Sequence, residues 1–169
     1  MRKIILITGG QRSGKSNYAE QMALSLSNRP VYLATSRVWD EEHRKRIELH
    51  IANRGEEWVN IEIDKELSSV ALSDQVVLID CVTLWATNYF FDLNSDVTKS
   101  LSALKKEFDK FTQQHAVFIF VTNEIGSGEM SQNEIQRKFA DLQGWLNQYI
   151  ASKADEVHLL VCGIPVKIK

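Results

Sequence analysis

Short apolar runs recur along the chain and predict β-strands. Residues 3–8, 76–80 and 116–122 are almost continuously apolar, which is typical of strands buried on both faces of a parallel sheet. Shorter or more mixed runs predict the remaining strands. The complete set of predicted strands is 3–8, 31–35, 58–63, 76–80, 116–122, 157–162 and 166–168.

Segments with helical periodicity separate most of these runs. Helices are predicted over residues 16–27, 40–53, 82–91 and 97–112, the second of them charged and with Asp40 as a candidate N-cap. In the first, Tyr18, Met22 and Leu26 share one stripe. A last helix is predicted to begin at the capping box Ser131-Gln132-Asn133-Glu134. Its apolar stripe consists of Ile135, Phe139, Leu142, Leu146 and Ile150.

The alternation of strands and helices predicts an α/β fold with a mostly parallel sheet flanked by helices. The turn Gly163-Ile164-Pro165 is too short for a crossover, so the C-terminal strand is expected to run antiparallel to its predecessor. The length of 169 residues fits one domain, and residues 1–169 are therefore interpreted as a single domain.

Charge and cysteine usage narrow the choice of environment. A formal net charge of −2 provides no basic field for nucleic acid or an anionic membrane, and no apolar run reaches membrane-spanning length. Cys81 and Cys162 both lie in apolar runs without the spacing of a zinc site. We interpret both as buried thiols and expect a reducing, cytoplasmic location.

One motif carries strong chemical information. The run Gly9-Gly10-Gln11-Arg12-Ser13-Gly14-Lys15-Ser16 matches the complete P-loop pattern, between a predicted buried strand and a predicted helix. Glycines let the backbone wrap phosphate oxygens, and the helix N-terminus directs N–H groups at the anion. Lys15 is expected to contact the β- and γ-phosphates, and Ser16 to ligate Mg²⁺. The motif predicts binding of a nucleoside triphosphate.

Two other strand ends are candidates for the same site. Asp80 closes the apolar run 76–80, at the end of a parallel strand that faces the ligand crevice. Its carboxylate is the candidate acidic partner of Mg²⁺ or of a substrate hydroxyl; the alternative is a cap for the next helix. Asn123 and Glu124 follow the fifth strand, and they are equally compatible with a substrate contact and with an ordinary turn.

The charged segment 40–53 contains a possible nucleophile. His50 lies four residues after Arg46 and four before Arg54, which places an arginine one helical turn away on each side if the helix continues. A neutral imidazole flanked by cations is able to attack phosphorus. From the pattern alone the ordinary alternative, a solvated surface histidine, is favoured, as it is for His43.

Several specific segments occur together from one end of the chain to the other. They are Thr8 and the P-loop, residues 32–36, Asp40-x-Glu42, Arg46-Ile47-x-x-His50, Arg54, Trp58, Asp80-Cys81-Val82-Thr83, Thr87-Asn88, residues 121–126, Ala154-Asp155-Glu156-Val157 and residues 162–169. In this combination the sequence resembles the bifunctional adenosylcobinamide kinase/adenosylcobinamide-phosphate guanylyltransferases of cobalamin assembly. The Arg-Ile-x-x-His pattern and the Gly-Ile-Pro-x-Lys ending are more specific than the P-loop.

The resemblance implies two reactions on one RecA-like P-loop fold. The first phosphorylates the aminopropanol hydroxyl of adenosylcobinamide with ATP or GTP. The second transfers GMP from GTP to that phosphate through a guanylylated histidine, which falls on His50, and yields adenosylcobinamide-GDP. The resemblance also implies a homotrimer. The further catalytic candidates are Lys15 and Asp80, from the phosphate-site chemistry given above. The nucleotide-binding residues it implies are Gly9, Gly10, Gln11, Arg12, Ser13, Gly14, Lys15, Ser16, Ala34, Thr35, Ser36, Ile51, Ala52, Asn53, Arg54, Glu62 and Asp80.

This chain departs from the usual family pattern at three positions. Ile51 stands where a basic residue often follows the histidine, Gly55 where a proline is common, and Asp80 where glutamate is common. The first departure removes a possible charged contact to phosphate. The third leaves open whether Asp80 reaches its partner directly or through water.

Two other functional classes compete with this interpretation. A P-loop kinase of another small alcohol, with His50 inert, keeps the same phosphate site. A nucleotide-dependent switch or binding module is disfavoured, because the chain lacks an Asn-Lys-x-Asp guanine motif and Cys81-Val82-Thr83 follows Asp80 without a switch glycine. A nucleic-acid ATPase is disfavoured by the slightly acidic charge.

Overall fold

A computed structural model describes residues 2–37 and 55–169 of the chain. The described strands form one seven-stranded sheet in the order β3-β2-β4-β5-β1-β6-β7. All neighbouring pairs are parallel except β6 and β7, which are antiparallel. The strands are β1 (Lys3–Gly9), β2 (Val31–Ala34), β3 (Val59–Glu62), β4 (Val76–Asp80), β5 (Val117–Val121), β6 (Glu156–Val161) and β7 (Ile164–Lys167). The predicted mostly parallel α/β fold with an antiparallel C-terminal strand is confirmed.

Four α-helices lie among the described residues. They are α1 (Lys15–Leu26), α2 (Val82–Asp92), α3 (Val97–Phe111) and α4 (Glu134–Lys153), with a short 3₁₀ turn at Leu67–Ser69. None of the helices in this part of the chain is long and apolar enough to cross a membrane. The predicted charged helix over residues 40–53 lies outside the described residues.

The helices cover both faces of the sheet. One face packs against α2, α3 and α4, with Phe108, Phe111, Phe118 and Phe120 in edge or tilted contact. The other face packs against α1, where Ala19 and Ala23 are fully buried. Because successive side chains of a strand point to opposite faces, a strand covered on both sides must be apolar throughout. This explains the continuous apolar runs.

The predicted stripe of α1 is confirmed only in part, because Tyr18 and Met22 pack against the core and Leu26 does not. The helix buries its small residues, whereas Tyr18 and Met22 are half-buried and Leu26 is exposed. Alanines allow the helix to lie close to the sheet, so the larger side chains are displaced to its flanks.

The predicted cap of α4 is also wrong. Asn133, and not Ser131, is the N-cap: its side chain accepts hydrogen bonds from the backbone N–H groups of Ile135 and Gln136 at 2.9 and 3.2 Å. Ser131 lies outside the helix and bonds the Gln136 side chain at 2.5 Å. Asparagine and serine cap equally well, so local sequence does not distinguish them.

The C-terminal hairpin turns earlier than predicted, at Cys162-Gly163. Cys162 has a φ of +52° and is exposed, so its interpretation as a buried thiol is wrong, while Cys81 is half-buried. The apolar run ends at this turn, and only the tertiary structure places the turn in solvent.

Candidate active site

The P-loop connects β1 to α1 at the carboxyl edge of the parallel strands. The Lys15 side chain turns back over the loop, and its Nζ donates a hydrogen bond to the carbonyl of Gly10 at 2.7 Å. Lys15 is buried, and this desolvation lowers its pKa, although the nearby Cys81 and Asp80 oppose the shift. The loop residues Gly10, Gln11, Arg12, Gly14 and Ser16 are exposed along the outer side of the turn. The loop therefore presents backbone to solvent with a cation beneath it.

Two glycines of the loop are required by close contacts. A Cβ on Gly9 would lie 2.7 Å from the carbonyl oxygen of Leu160 on β6 and 2.7 Å from Ser13 Oγ. Gly14 has a φ of +93°, and a Cβ there would lie 3.1 Å from Gly163 Cα. The N–H of Gly163 also donates to the carbonyl of Ser13 at 2.9 Å. The β6–β7 turn thus contacts the P-loop at Ser13 and Gly14 and helps to hold its shape.

Asp80 lies on β4, two strands away from β1 in the same sheet. The hydroxyl of Tyr32 on the neighbouring β2 donates a hydrogen bond to Asp80 Oδ2. This bond fixes one carboxylate oxygen. Asp80 ends β4 and Lys15 begins α1 at the same edge of the sheet, and the carboxylate acts on Lys15 in the direction that raises its pKa. The structure therefore brings together the two catalytic candidates Lys15 and Asp80.

Asn123 follows β5, the strand that lies between the strands of Asp80 and of the P-loop. Its backbone N–H and side-chain amide both donate to Thr83 Oγ1, at 3.2 and 3.1 Å. From the other side, Asn147 of α4 donates to the carbonyl of Asn123 at 3.1 Å. Glu124 joins the loop directly, because its N–H donates to the carbonyl of Gly9 at 3.0 Å. The structure thus holds this segment beside the P-loop, a placement that spacing alone left undecided.

The nucleotide-binding residues predicted at the end of β2, which are Ala34, Thr35 and Ser36, differ in their surroundings. Thr35 is fully buried; its hydroxyl donates to the Cys81 carbonyl at 2.8 Å and accepts from the Cys81 N–H at 3.1 Å. Asn88 of α2 donates to the Thr35 carbonyl at 2.7 Å. These contacts tie β2 to the end of β4. Ala34 and Ser36 are half-buried on either side of Thr35.

A charge cluster that the sequence did not indicate lies beside this segment. Arg37 binds both oxygens of Asp92 at 2.7 and 2.8 Å and contacts Asp64 at 2.5 Å. Lys65 also binds Asp92 at 2.8 Å. The hydrogen bonds from Arg37 and Lys65 hold the Asp92 pKa well below its usual range. The cluster joins residues far apart in sequence, so no local pattern was able to reveal it.

The remaining predicted site residues lie either on β3 or outside the described part of the chain. Glu62 is exposed at the end of β3, paired in register with Ala34. His50 and Ile51, Ala52, Asn53 and Arg54 lie outside the described residues, as do His43 and Arg46. The structure does not place the predicted nucleophile relative to the P-loop.

The apolar segment 85–91 has an intramolecular role. Trp85 and Phe90 are fully buried, and Tyr89 is almost so, in the core between α2, α3 and α4. Only Phe91 is exposed. Packing within one chain therefore accounts for all the large side chains of this segment except Phe91.

The donor set suits Mg²⁺. Ser16 is exposed at the start of α1, and Asp80 provides a carboxylate at the same edge of the sheet. Within residues 2–37 and 55–169 no group of three or more His, Cys, Asp or Glu is arranged to hold a metal. Mg²⁺ commonly uses one or two protein oxygens together with substrate phosphates and water, so this sparse set of ligands fits it.

The fold and this site define a P-loop nucleotide-dependent enzyme. The family model described as cobinamide kinase / cobinamide phosphate guanyltransferase matches residues 5–168, and the chain belongs to that family. It is a bifunctional enzyme of adenosylcobalamin biosynthesis with kinase and guanylyltransferase activities.

Relatives of known function match nearly the full chain. The chain is 37% identical to the bifunctional adenosylcobalamin biosynthesis protein CobU of Escherichia coli strain K12, over 98% of this chain and 99% of that one. It is 35% identical to CobU of Salmonella typhimurium strain LT2, with the same coverage of both chains. It is 34% identical to CobP of Pseudomonas aeruginosa, over 97% and 96% of the two chains. The alternative functional classes are not favoured by these matches.

A distant structural likeness supports the fold alone. A prototypical ATPase from the type III secretion system of pathogenic bacteria matches with a TM-score of 0.55 and 12% sequence identity, over 98% of this chain and 56% of that one. The match supports the predicted P-loop arrangement of the sheet and carries no information about activity.

Proposed function

We propose that this chain phosphorylates the aminopropanol hydroxyl of adenosylcobinamide and then transfers GMP to the new phosphate through His50. The observation that supports the kinase half is the juxtaposition of Lys15, Asp80 and the P-loop at one edge of the sheet. The second half rests on family membership and on the presence of a histidine at position 50. Residues 1–169 act as one domain in this proposal.

In the kinase half, the P-loop binds the triphosphate of ATP or GTP. Its exposed backbone donors wrap the phosphates, and Lys15 exchanges the carbonyl of Gly10 for β- and γ-phosphate oxygens. The acceptor hydroxyl oxygen attacks the γ-phosphorus, the electron pair of the broken P–O bond leaves with the nucleoside diphosphate, and the hydroxyl proton is released to solvent. Positioning and charge stabilisation account for most of the rate of such transfers.

Mg²⁺ would be held by Ser16, with Asp80 as its acidic partner. When bound there, the cation would supply positive charge to the phosphate oxygens. Tyr32 holds the Asp80 carboxylate in place through its hydroxyl, so the orientation of Asp80 does not depend on the metal.

In the guanylyltransferase half, one ring nitrogen of His50 attacks the α-phosphorus of GTP and pyrophosphate leaves. The corrinoid phosphate oxygen then attacks the same phosphorus, the P–N bond breaks, and the histidine is regenerated. Only the neutral imidazole has the free lone pair that this attack needs. Arg46 and Arg54 are the candidates that stabilise the added negative charge. On the family resemblance, nucleotide contacts outside the P-loop are assigned to Ala34, Thr35, Ser36, Glu62, Asp80 and residues 51–54.

The assembly and location follow the same reasoning. We propose a homotrimer with the active site near a subunit boundary, on the basis of the family resemblance alone. Cys81 and Cys162 are both free thiols, which fits a reducing cytoplasm.

A pair of variants tests the division of labour. Lys15→Ala is expected to lower phosphate transfer to adenosylcobinamide on the order of 100-fold or more, because the cation beneath the transferred group is lost. His50→Ala is expected to abolish protein labelling by GTP that carries ³²P at the α-position, while phosphate transfer continues. The label on the wild-type protein should be acid-labile and base-stable, as expected for a P–N bond.

His43→Ala serves as the matched control, because it removes a histidine from the same segment. It should keep both activities. If the His50→Ala protein still accepts the label, or if the label survives acid, the nucleophile has been misassigned. If Lys15→Ala keeps near-normal turnover, the kinase assignment fails independently.

A further inference from the structure

A groove lies next to the edge of the sheet that holds the P-loop. It has a volume of about 830 Å³ and runs between the C-terminal half of α2, the N-terminal half of α4 and residues 125–131. Phe90 and Phe139 form part of its apolar wall. Phe91, Ile125, Met130 and Ile135 also line it, and all four are exposed. So many exposed apolar side chains in one concavity indicate a binding surface.

The groove is continuous with the edge of the sheet where phosphate is transferred. Thr83, at the start of α2, bonds Asn123 beside the P-loop. Thr87 lies one turn further along the same helix face, about 6 Å away, and lines the groove. On the other wall, Ile125 and Gly126 follow Glu124, whose N–H bonds the P-loop residue Gly9. A ligand in the groove therefore has one end near the P-loop.

The groove is held in shape by its own hydrogen bonds. The Arg137 guanidinium donates to the carbonyls of Ser131 and Gln132 at 2.9 and 2.7 Å, which fastens the loop to α4. At the other end of the loop, the N–H of Gly126 donates to the Glu124 carboxylate at 2.9 Å. A binding site that is formed in advance loses less conformational entropy when the ligand binds.

We propose that this groove binds the corrin ring of the acceptor, so that its aminopropanol arm reaches the P-loop. This assignment rests on the proposed function, since it takes cobinamide as the acceptor. A corrin is a broad ring with apolar faces and an amide-bearing rim. The groove matches both features: its wall is apolar, and the Glu129 carboxylate and the Gln136 amide nitrogen along its border offer an acceptor and a donor for amides. A volume near 830 Å³ is in the upper range for small-molecule sites, as a large ring requires.

The test uses two exposed residues of the groove and one control. Ile135 and Met130 are replaced together by serine, and Leu26, which is 50% exposed at the end of α1, is replaced by serine as the control for Ile135, which is 48% exposed. Cobinamide affinity is measured by equilibrium dialysis with the corrin absorbance as the signal. ATP affinity, the kinase kcat and KM, and the mass by light scattering are measured on the same preparations.

The double variant is expected to raise the cobinamide Kd and KM at least 10-fold, with ATP affinity and saturated kcat unchanged. Leu26→Ser should leave all of these at wild-type values. Unchanged cobinamide affinity in the double variant would overturn the proposal. A lower mass by light scattering with unchanged cobinamide affinity would also overturn the proposal, because the groove would then be a contact between copies of the chain. A wild-type protein that neither binds nor phosphorylates cobinamide would contradict the proposed function itself, a failure distinct from these two.

Discussion

Replacing Gly9 by alanine tests whether the sheet dictates the shape of the P-loop. The added methyl carbon would lie 2.7 Å from the carbonyl oxygen of Leu160 and 2.7 Å from Ser13 Oγ, well inside contact distance. The Ser13 hydroxyl belongs to a side chain that is able to turn. The Leu160 carbonyl belongs to β6, where Leu160 is paired in register with Gly9 itself, so it moves only if the strands separate.

The size of the effect follows from this constraint. Inserting a methyl group into packed structure costs about 1–3 kcal/mol. Since 1.36 kcal/mol corresponds to a factor of ten, nucleotide affinity should fall by about 5- to 150-fold if the loop shifts to relieve the contact. We expect the free energy of unfolding to fall by up to about 3 kcal/mol if the loop instead keeps its position. The assays are urea unfolding followed by circular dichroism and calorimetric titration with ATP.

Gly144→Ala is the matched control. Gly144 lies inside α4, and a Cβ there meets nothing within 4 Å. The same substitution should therefore stabilise the protein by about 0.5–1 kcal/mol, because glycine is unfavourable in a helix interior. If Gly9→Ala leaves both unfolding and ATP binding at wild-type values, or if Gly144→Ala is as damaging, the contact argument is refuted.

Two further predictions concern charge and the transferred phosphate. Hydrogen bonds from Lys3, which has the largest effect, and from His158 and Lys167 lower the pKa of Glu156 to about 2. These contacts therefore stabilise the fold fully above about pH 4.5, and their contribution is lost as the pH falls toward 2. Urea unfolding of Glu156→Gln should accordingly show a shallower loss of stability between pH 4.5 and 2 than the wild type, and an equally steep loss would contradict this. The Asn123→Ala protein should bind ATP about 10-fold more weakly but ADP normally, because Asn123 follows the strand that lies between the strand of Asp80 and the strand of the P-loop. Calorimetric titration measures both affinities. Equal losses for ATP and ADP would exclude a contact between Asn123 and the terminal phosphate.

The sequence allowed the sheet and the phosphate loop to be predicted because both are local in origin. Continuous apolar runs require cover on two faces, and this periodicity is visible without knowledge of the fold. The P-loop is a contiguous motif whose glycines and lysine act within a few residues of one another. Asp80 was identified for the same reason, since it ends an apolar run. The cap of α4 was wrong because several residue types satisfy the same local rule, and the stripe of α1 was incomplete because its alanines are the residues that lie closest to the sheet.

The features that could not be predicted from the sequence depend on contacts between segments that are distant along the chain. The hydrogen bond of Tyr32 to Asp80 depends on the adjacency of β2 and β4, which are separated by more than 40 residues of chain. The position of Asn123 beside the P-loop, the support of the P-loop by Gly163 and the groove between α2 and α4 likewise depend on strand order and helix docking. Local sequence determined the strands, the phosphate loop and the chemical groups available, since periodicity and motif act over a few residues. Only the tertiary structure decided which groups meet, because side chains from separate elements become neighbours through the packing of the whole sheet.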